Sequence, residues 1–159
     1  MEIREAKLDE VEKIAILMEQ VAKLHYEGRP EIFKENSVDL IKNNIIEIFE
    51  EHGKTILVAI DKEFGLCGVL IYKIKEVREH TNLKDFKTLW IDELVVDNKC
   101  RKNGIGKLLM KKAEEIARIE KCIRLELNCW CFNENAIKFY ERIGMEKQRV
   151  VMEKEIGEL

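Results

Sequence analysis

From Val11 onward the apolar residues fall at the spacing of one helical face: Val11, Ile14, Leu17, Met18, Val21 and Leu24. Asp9 is placed to cap this predicted helix, with Glu12 three residues on completing a capping box. Gly28-Arg29-Pro30 ends it, because glycine and proline break the pattern. Ser37 caps a second helix carrying Leu40, Ile41, Ile45, Ile48 and Phe49, stopped by Gly53, and Met1 to Ala6 reads as a short edge strand. After Gly53 the period shortens. Thr55 to Ile60 and Leu66 to Ile74 read as two strands of a hairpin, joined by turn residues from Asp61 to Gly65.

His80 to Lys87 is polar and reads as a loop, and Thr88 to Val96 is the next strand. A helix follows Gly106 with Leu108, Leu109, Ala113, Ile116 and Ala117 along it. Ile123 to Cys129 is a strand, Asn133 to Ile143 a short helix ended by Gly144, and Gln148 to Glu155 a last strand. A strand–helix–strand unit implies a locally parallel pair and the hairpin an antiparallel part. The expected architecture is therefore α/β in the α+β sense, one domain over 1–159 with a mixed, mostly antiparallel sheet flanked by helices.

Composition narrows the class. The chain has 159 residues, 46% hydrophobic and 37% charged, which suits one globular domain with its own core. A net charge of -3 gives no global attraction for nucleic acid or an anionic membrane. No apolar run is long enough to span a bilayer, and the N-terminus lacks the pattern of a secretory signal, so the expected compartment is the cytoplasm. The five cysteines, Cys67, Cys100, Cys122, Cys129 and Cys131, show no two-residue spacing of a metal knuckle or redox motif and read as small buried hydrophobes; no metal is expected. In a strand, Cys129 and Cys131 would share a face.

The most informative stretch is Arg101-Lys102-Asn103-Gly104-Ile105-Gly106, between a strand and a helix. Glycines let backbone N–H groups approach an anion, and a helix start adds unpaired donors and a positive dipole end. Arg101, Lys102, Lys107, Lys111 and Lys112 add fixed positive charge. The spacing fits neither a P-loop, which would end Gly-Lys-Ser/Thr, nor a dinucleotide fingerprint, which wants a third glycine and a later acidic residue. A tight turn with a solvated basic face is the plain alternative.

The segment resembles the cofactor motif of the GNAT superfamily of N-acetyltransferases, Arg/Gln-x-x-Gly-x-Gly/Ala, and matches it at every defined position. Downstream, Asn133-Glu134-Asn135-Ala136-Ile137-Lys138-Phe139-Tyr140-Glu141-Arg142-Ile143-Gly144 is similar to that family's Asn-x-x-Ala-x-x-x-Tyr-x-x-x-Gly. The resemblance implies a central parallel strand pair that splays apart around acetyl-CoA, the acetyl donor. It implies pyrophosphate binding by Arg101, Lys102, Asn103, Gly104, Ile105, Gly106 and Lys107. The backbone of Leu94, Val95 and Val96 would hold the pantetheine arm and the acetyl carbonyl, with Asn133 and Ala136 also at the cofactor. Tyr140 would meet the departing thiolate, since a phenol with pKa about 10 stays protonated at neutral pH. A carboxylate near the donor strand would take the amine's proton. Glu93 and Asp92 rank equally and strand alternation puts them on opposite faces, with Glu126 behind.

The acceptor, a primary amine of a small molecule or of a peptide or protein, would enter near the connection of the first two helices. There His25, Glu27, Arg29 and Phe33 combine polar and aromatic character, with Glu126 and Trp130 as further walls. Convergence of Glu27, Glu31, Asp92 and Glu93 would favour a cationic acceptor. A homodimer is frequent in the family. Two other readings compete: a non-catalytic acyl-CoA sensor that keeps the fold, and a phosphate- or nucleic-acid-binding domain using the Lys102–Lys112 patch. The acidic net charge and the lack of interleaved aromatics argue against the latter.

Overall fold

The computed structural model describes residues 1–50 and 53–157 as two compact units, 1–128 and 129–157. In the first, β1 (Glu2–Glu5) leads into a single 3-10 turn and then α1 (Val11–Gly28) and α2 (Val38–Glu50). Next come β2 (Lys54–Asp61), β3 (Gly65–Val77), β4 (Phe86–Val96), α3 (Ile105–Ile119) and β5 (Arg124–Leu127). The sheet runs β1-β2-β3-β4-β5, antiparallel throughout except for the parallel β4–β5 pair. This is the mixed α+β architecture expected from the sequence.

The start of α1 departs from expectation. Asp9 and Glu12 do not cap it; the Glu10 carboxylate instead closes the 3-10 turn ahead of it, accepting the Lys7 N–H at 2.9 Å and both terminal guanidinium nitrogens of Arg4 at 2.7 and 2.8 Å. Glu12 instead pairs with Lys42 of α2, tying the two helices together. Sequence spacing alone cannot see Arg4, which the end of β1 brings across. At α2 the expected cap is in place, with the Ser37 hydroxyl accepting the Leu40 N–H at 3.4 Å.

The helices take opposite faces of the sheet. Ile14, Leu17, Ile41 and Ile45 of α1 and α2 pack with Ile56, Val58, Val69, Ile71 and Val95. On the other face Gly68 of β3 receives the start of α3: a β-carbon there would stand 3.0 Å from Leu109 Cδ1 and 3.1 Å from Ile105 Cγ2. Two bulges interrupt the ladders. Cys67 is the extra residue of β3, since Ala59 pairs with Gly68 and Ile60 with Leu66. Asp92 is the extra residue of β4, since Ile71 pairs with Glu93 and Tyr72 with Ile91.

The second unit carries α4 (Glu134–Arg142), capped by Asn133, whose side chain accepts the Ala136 N–H at 3.2 Å. Gly144 follows at φ 91, the left-handed turn that stops such a helix. The expected strand over Gln148–Glu155 is not formed: those residues pair with no strand, and Val150, Val151 and Met152 are exposed. Strand-forming side chains give a strand only where a neighbouring edge takes up the backbone hydrogen bonds. β5 is thus the last strand of the sheet, and the parallel pair closes one side rather than lying at its centre. The strand expected through Cys129 stops at Leu127, so the condition for Cys129 and Cys131 to share a face is not met.

Candidate active site

The β4–β5 pair is short. Thr88 to Ile91 match Arg124 to Leu127, and β4 then runs on through Asp92 to Val96 while β5 stops. On its β3 side that stretch stays paired, with Leu94, Val95 and Val96 opposite Leu70, Val69 and Gly68. Within the first unit, its β5-facing edge therefore has no strand partner. A ligand with amide groups can extend the sheet along such an edge.

The edge leads into the glycine loop. Asp97 closes a 3-10 turn by accepting the Lys99 N–H at 2.9 Å, and Arg101 Nε donates to the Val96 carbonyl at 3.2 Å. Lys102 and Gly104 both adopt left-handed backbone, φ 68 and 76, and Gly104 caps α3. The first helical bond of α3 is Leu108 N–H to Gly104 carbonyl, at 3.0 Å. The N–H groups of Gly104, Ile105, Gly106 and Lys107 precede it, so none has a partner inside the helix. Nothing lies within 4 Å of where a Gly104 β-carbon would stand, and Arg101, Lys102, Asn103 and Lys107 are exposed around it. This cradle of backbone donors and cations fits a pyrophosphate.

The bulge decides the placement of the two ranked carboxylates. Ile91 pairs with Tyr72 on the α3 face, and Val95, four residues later, sits in the α1–α2 core. A regular strand would keep those two on one face. The extra residue flips the phase, so Glu93, opposite Ile71, turns to the α1–α2 face. Asp92 is on that face as well, 3.2 Å from Lys54 and 3.3 Å from Lys73. Opposite faces were expected; the same face is found.

Their chemistry differs. Burial works to raise the Asp92 carboxyl, but Lys54 and Lys73 outweigh it and hold it below the usual carboxylate range. Burial and then the neighbouring Asp92 charge push Glu93 up to about 7, with Lys54 opposing. Glu126 lies opposite Trp90 with Arg124 3.7 Å away. The four carboxylates proposed to attract a cation do not form an uncompensated cluster. Glu27 lies 3.9 Å from Lys23, Glu31 is paired with Arg29, and Asp92 with two lysines.

At the α1–α2 connection, His25 stacks on Phe33 at 4.9 Å between ring centroids, and its carbonyl accepts the Arg29 N–H. Burial lowers the His25 pKa, favouring the neutral ring. In the second unit Trp130 stacks on Phe132 at 6.0 Å, and the Tyr140 ring meets Phe139 edge-on at 5.3 Å. Lys54, Lys73 and Gly68 were not singled out from sequence. Only Gly68 gave a signal, an isolated glycine inside a strand pattern that marks close backbone approach. Cys67 and Cys100 are buried with sulfurs 2.9 Å apart just ahead of the loop, and burial raises the Cys67 thiol to about 12. Among the described residues, no group of His, Cys, Asp and Glu is arranged to hold a metal ion, and no helix is long and apolar enough to cross a membrane.

Comparison with known proteins supplies the family. Over 90 residues the chain is 30% identical to the spermine/spermidine N(1)-acetyltransferase of Bacillus subtilis, a match covering 56% of this chain and 58% of that enzyme. The match to human N-alpha-acetyltransferase 30 is 36% identical over 66 residues, 42% of this chain and 18% of the other. The chain thus spans little more than half of the first relative and a fifth of the second. Among solved structures, the tetramutant of the BH1408 protein from Bacillus halodurans superposes with a TM-score of 0.93 at 28% identity, covering 98% of this chain and 100% of that one. The aminoglycoside N-acetyltransferase AAC(6')-Iy, solved in complex with CoA, shares the fold at a TM-score of 0.73 and 15% identity, over 98% and 95% of the two chains. Residues 18–145 match the model of the acetyltransferase (GNAT) family, and the chain belongs to that family.

Proposed function

We propose that this protein is an N-acetyltransferase that moves the acetyl group of acetyl-CoA to a primary amine by direct attack in a ternary complex. Family membership supports the reaction class, and the chain acts as one domain over 1–159 in this reading. The observation that carries it is the continuity of the β4 edge with the glycine loop. A strand edge from Asp92 to Val96 with no partner on its β5 side in the first unit leads, through the loop of residues 97–103, to four N–H groups at the start of α3. An acyl-pantetheine needs the first and its pyrophosphate the second. The amine acceptor shares the site, and the compartment is the cytoplasm.

In the reaction, the amine nitrogen bonds to the thioester carbonyl carbon and the carbon–sulfur bond breaks. Those backbone N–H groups of Leu94 to Val96 that point away from β3 stabilise the charge developing on the carbonyl oxygen, an effect worth about 2.7–4 kcal/mol per donor in acyl-transfer sites. Glu93 takes the amine's proton, because its carboxyl titrates at about 7 while Asp92 is committed to two lysines. A base poised near the working pH is the most effective one. Tyr140 gives its phenolic proton to the leaving thiolate, and Asn133 and Ala136 line the pantetheine by motif. His25, Glu27, Arg29, Phe33 and Glu126 border the acceptor.

The test is thiol release from acetyl-CoA across amino acids, peptides, polyamines and aminoglycosides, with CoA affinity measured by calorimetry. Tyr140→Phe is expected to lower kcat about 10²–10⁴-fold with CoA affinity unchanged. CoA binding without turnover of any amine would favour the sensor reading. No binding at millimolar CoA would remove both.

A further inference from the structure

Three charged side chains meet beside Glu93. Lys54 of β2 and Lys73 of β3 stand directly opposite one another in the ladder, and both reach Asp92 in the β4 bulge, at 3.2 and 3.3 Å. All three are mostly removed from solvent, with 32%, 31% and 21% of the side-chain surface exposed. Partly buried charge persists only where it is compensated, and two cations on one carboxylate pin that carboxylate firmly. A regular β4 would point Asp92 into this pair of lysines and send Glu93 through to the α3 face. The bulge keeps Asp92 where it is and turns Glu93 to the same side, so the two carboxyls become neighbours on one surface.

Several charges on the neighbouring elements are matched elsewhere. At the start of α1, Glu10 is held by Arg4, and Glu12 pairs with Lys42 of α2. On the β5 side, Arg124 stands beside Glu126, and Lys75 sits over the Trp90 ring at 3.2 Å. Along the sheet, α1 and α2 contribute Ile14, Leu17, Ile41 and Ile45. The charges that act on Glu93 are Asp92, which disfavours its ionisation, and Lys54, which favours it.

We propose that Lys54 and Lys73 are positioning residues for acetyl transfer. They fix Asp92 in the bulge so that its charge bears on Glu93, while Lys54 opposes that influence, and the balance sets how readily Glu93 accepts the acceptor's proton. Lys73 acts through Asp92. The proposal rests on Glu93 being the base.

The experiment follows the Glu93 carboxyl directly, by carbon-13 NMR of the full chain labelled at glutamate side-chain carboxyls, from pH 4 to 10, with Glu93→Gln identifying the resonance. Opposed charges predict opposed shifts: Lys54→Met moves the midpoint up and Asp92→Asn moves it down, each by about half a unit or more. Lys54→Arg keeps the parental midpoint. In the Asp92→Asn background, Lys73→Met adds nothing, as expected of a residue that works through Asp92. Shifts in the same direction for Lys54→Met and Asp92→Asn, or no shift in either, overturn the proposal. In parallel, the pH profile of kcat/KM with the best amine of the panel is recorded for the parent and Glu93→Gln. A limb near pH 7 that survives Glu93→Gln removes Glu93 as base, and the proposal with it. A limb that vanishes while the midpoints fail to move apart leaves the base and removes the positioning role.

Discussion

Gly68 of β3 and Ile105, the first residue of α3, approach so closely that a β-carbon on Gly68 would lie 3.1 Å from Ile105 Cγ2. The helix start, and so the anion cradle, rests on the bare backbone of a strand. Gly68→Val puts branched bulk against Ile105, Leu109 and the Val95 carbonyl, and overpacking of this kind costs about 1–3 kcal/mol. The expected outcome is a lower denaturation midpoint together with weaker CoA binding. A variant destabilised by this amount whose CoA affinity is unchanged would show that the seating of α3 does not matter to the cradle.

Gly104 makes a different demand. A β-carbon there meets nothing within 4 Å, so the cost of Gly104→Ala lies in its left-handed φ of 76 alone, about 1–2 kcal/mol. The backbone relieves that strain by rotating, which turns the Gly104 N–H away from the phosphates. CoA affinity measured by calorimetry is expected to fall by about tenfold, the equivalent of 1.4 kcal/mol, while Gly53→Ala, at another left-handed glycine remote from the loop in sequence, leaves CoA affinity unchanged.

The pattern of the chain made the helices, the hairpin and the loop legible, because each is written in local spacing: Ile14 with Leu17 and Met18, Asp61 with Gly65, Gly104 with Gly106. What it did not show depends on pairing between distant strands. The bulge at Asp92 exists only relative to β3, where Ile71 and Tyr72 face Glu93 and Ile91, so alternation read along β4 alone sends Glu93 to the wrong face. The lysines that hold Asp92 lie 38 and 19 positions earlier in the chain. The Glu10 cap depends in the same way on Arg4, and the Gln148–Glu155 segment shows that strand-forming residues without an edge to join stay irregular.

Glu10 contributes to the acid behaviour of the first unit. The Arg4 hydrogen bonds hold its carboxyl at about 2, against 4.5 for an ordinary glutamate. Because the folded value is the lower one, Glu10 contributes its full stabilisation above pH 4.5, and loses it as the pH falls from there towards 2. Glu10→Gln gives up the charged hydrogen bonds, about 1.5–3 kcal/mol. Denaturant unfolding at pH 7 should show that loss, and at pH 2.5 most of the difference from the parent should be gone. A gap of equal size at both values would mean that the carboxyl acts by packing rather than by charge.

Glu93 carries the opposite sign. Its folded pKa of about 7 lies above the ordinary 4.5, so folding favours the protonated acid. Below pH 4.5 the group is neutral in both folded and unfolded chains and costs nothing. Between 4.5 and 7 the unfolded chain releases the proton first, stability falls, and above 7 the full penalty is present. At 1.36 kcal/mol per unit that penalty is on the order of 3 kcal/mol. Glu93→Gln, which is neutral at every pH, should therefore unfold at higher denaturant than the parent at pH 8 and nearly match it at pH 4. The same variant should lose about 10²–10⁴ in kcat if the carboxyl takes the acceptor's proton. Greater stability with lower activity is what a residue kept for its chemistry shows. A variant less stable than the parent at pH 8 would mean that the Glu93 carboxylate is welcome in its surroundings, and that its pKa is not raised.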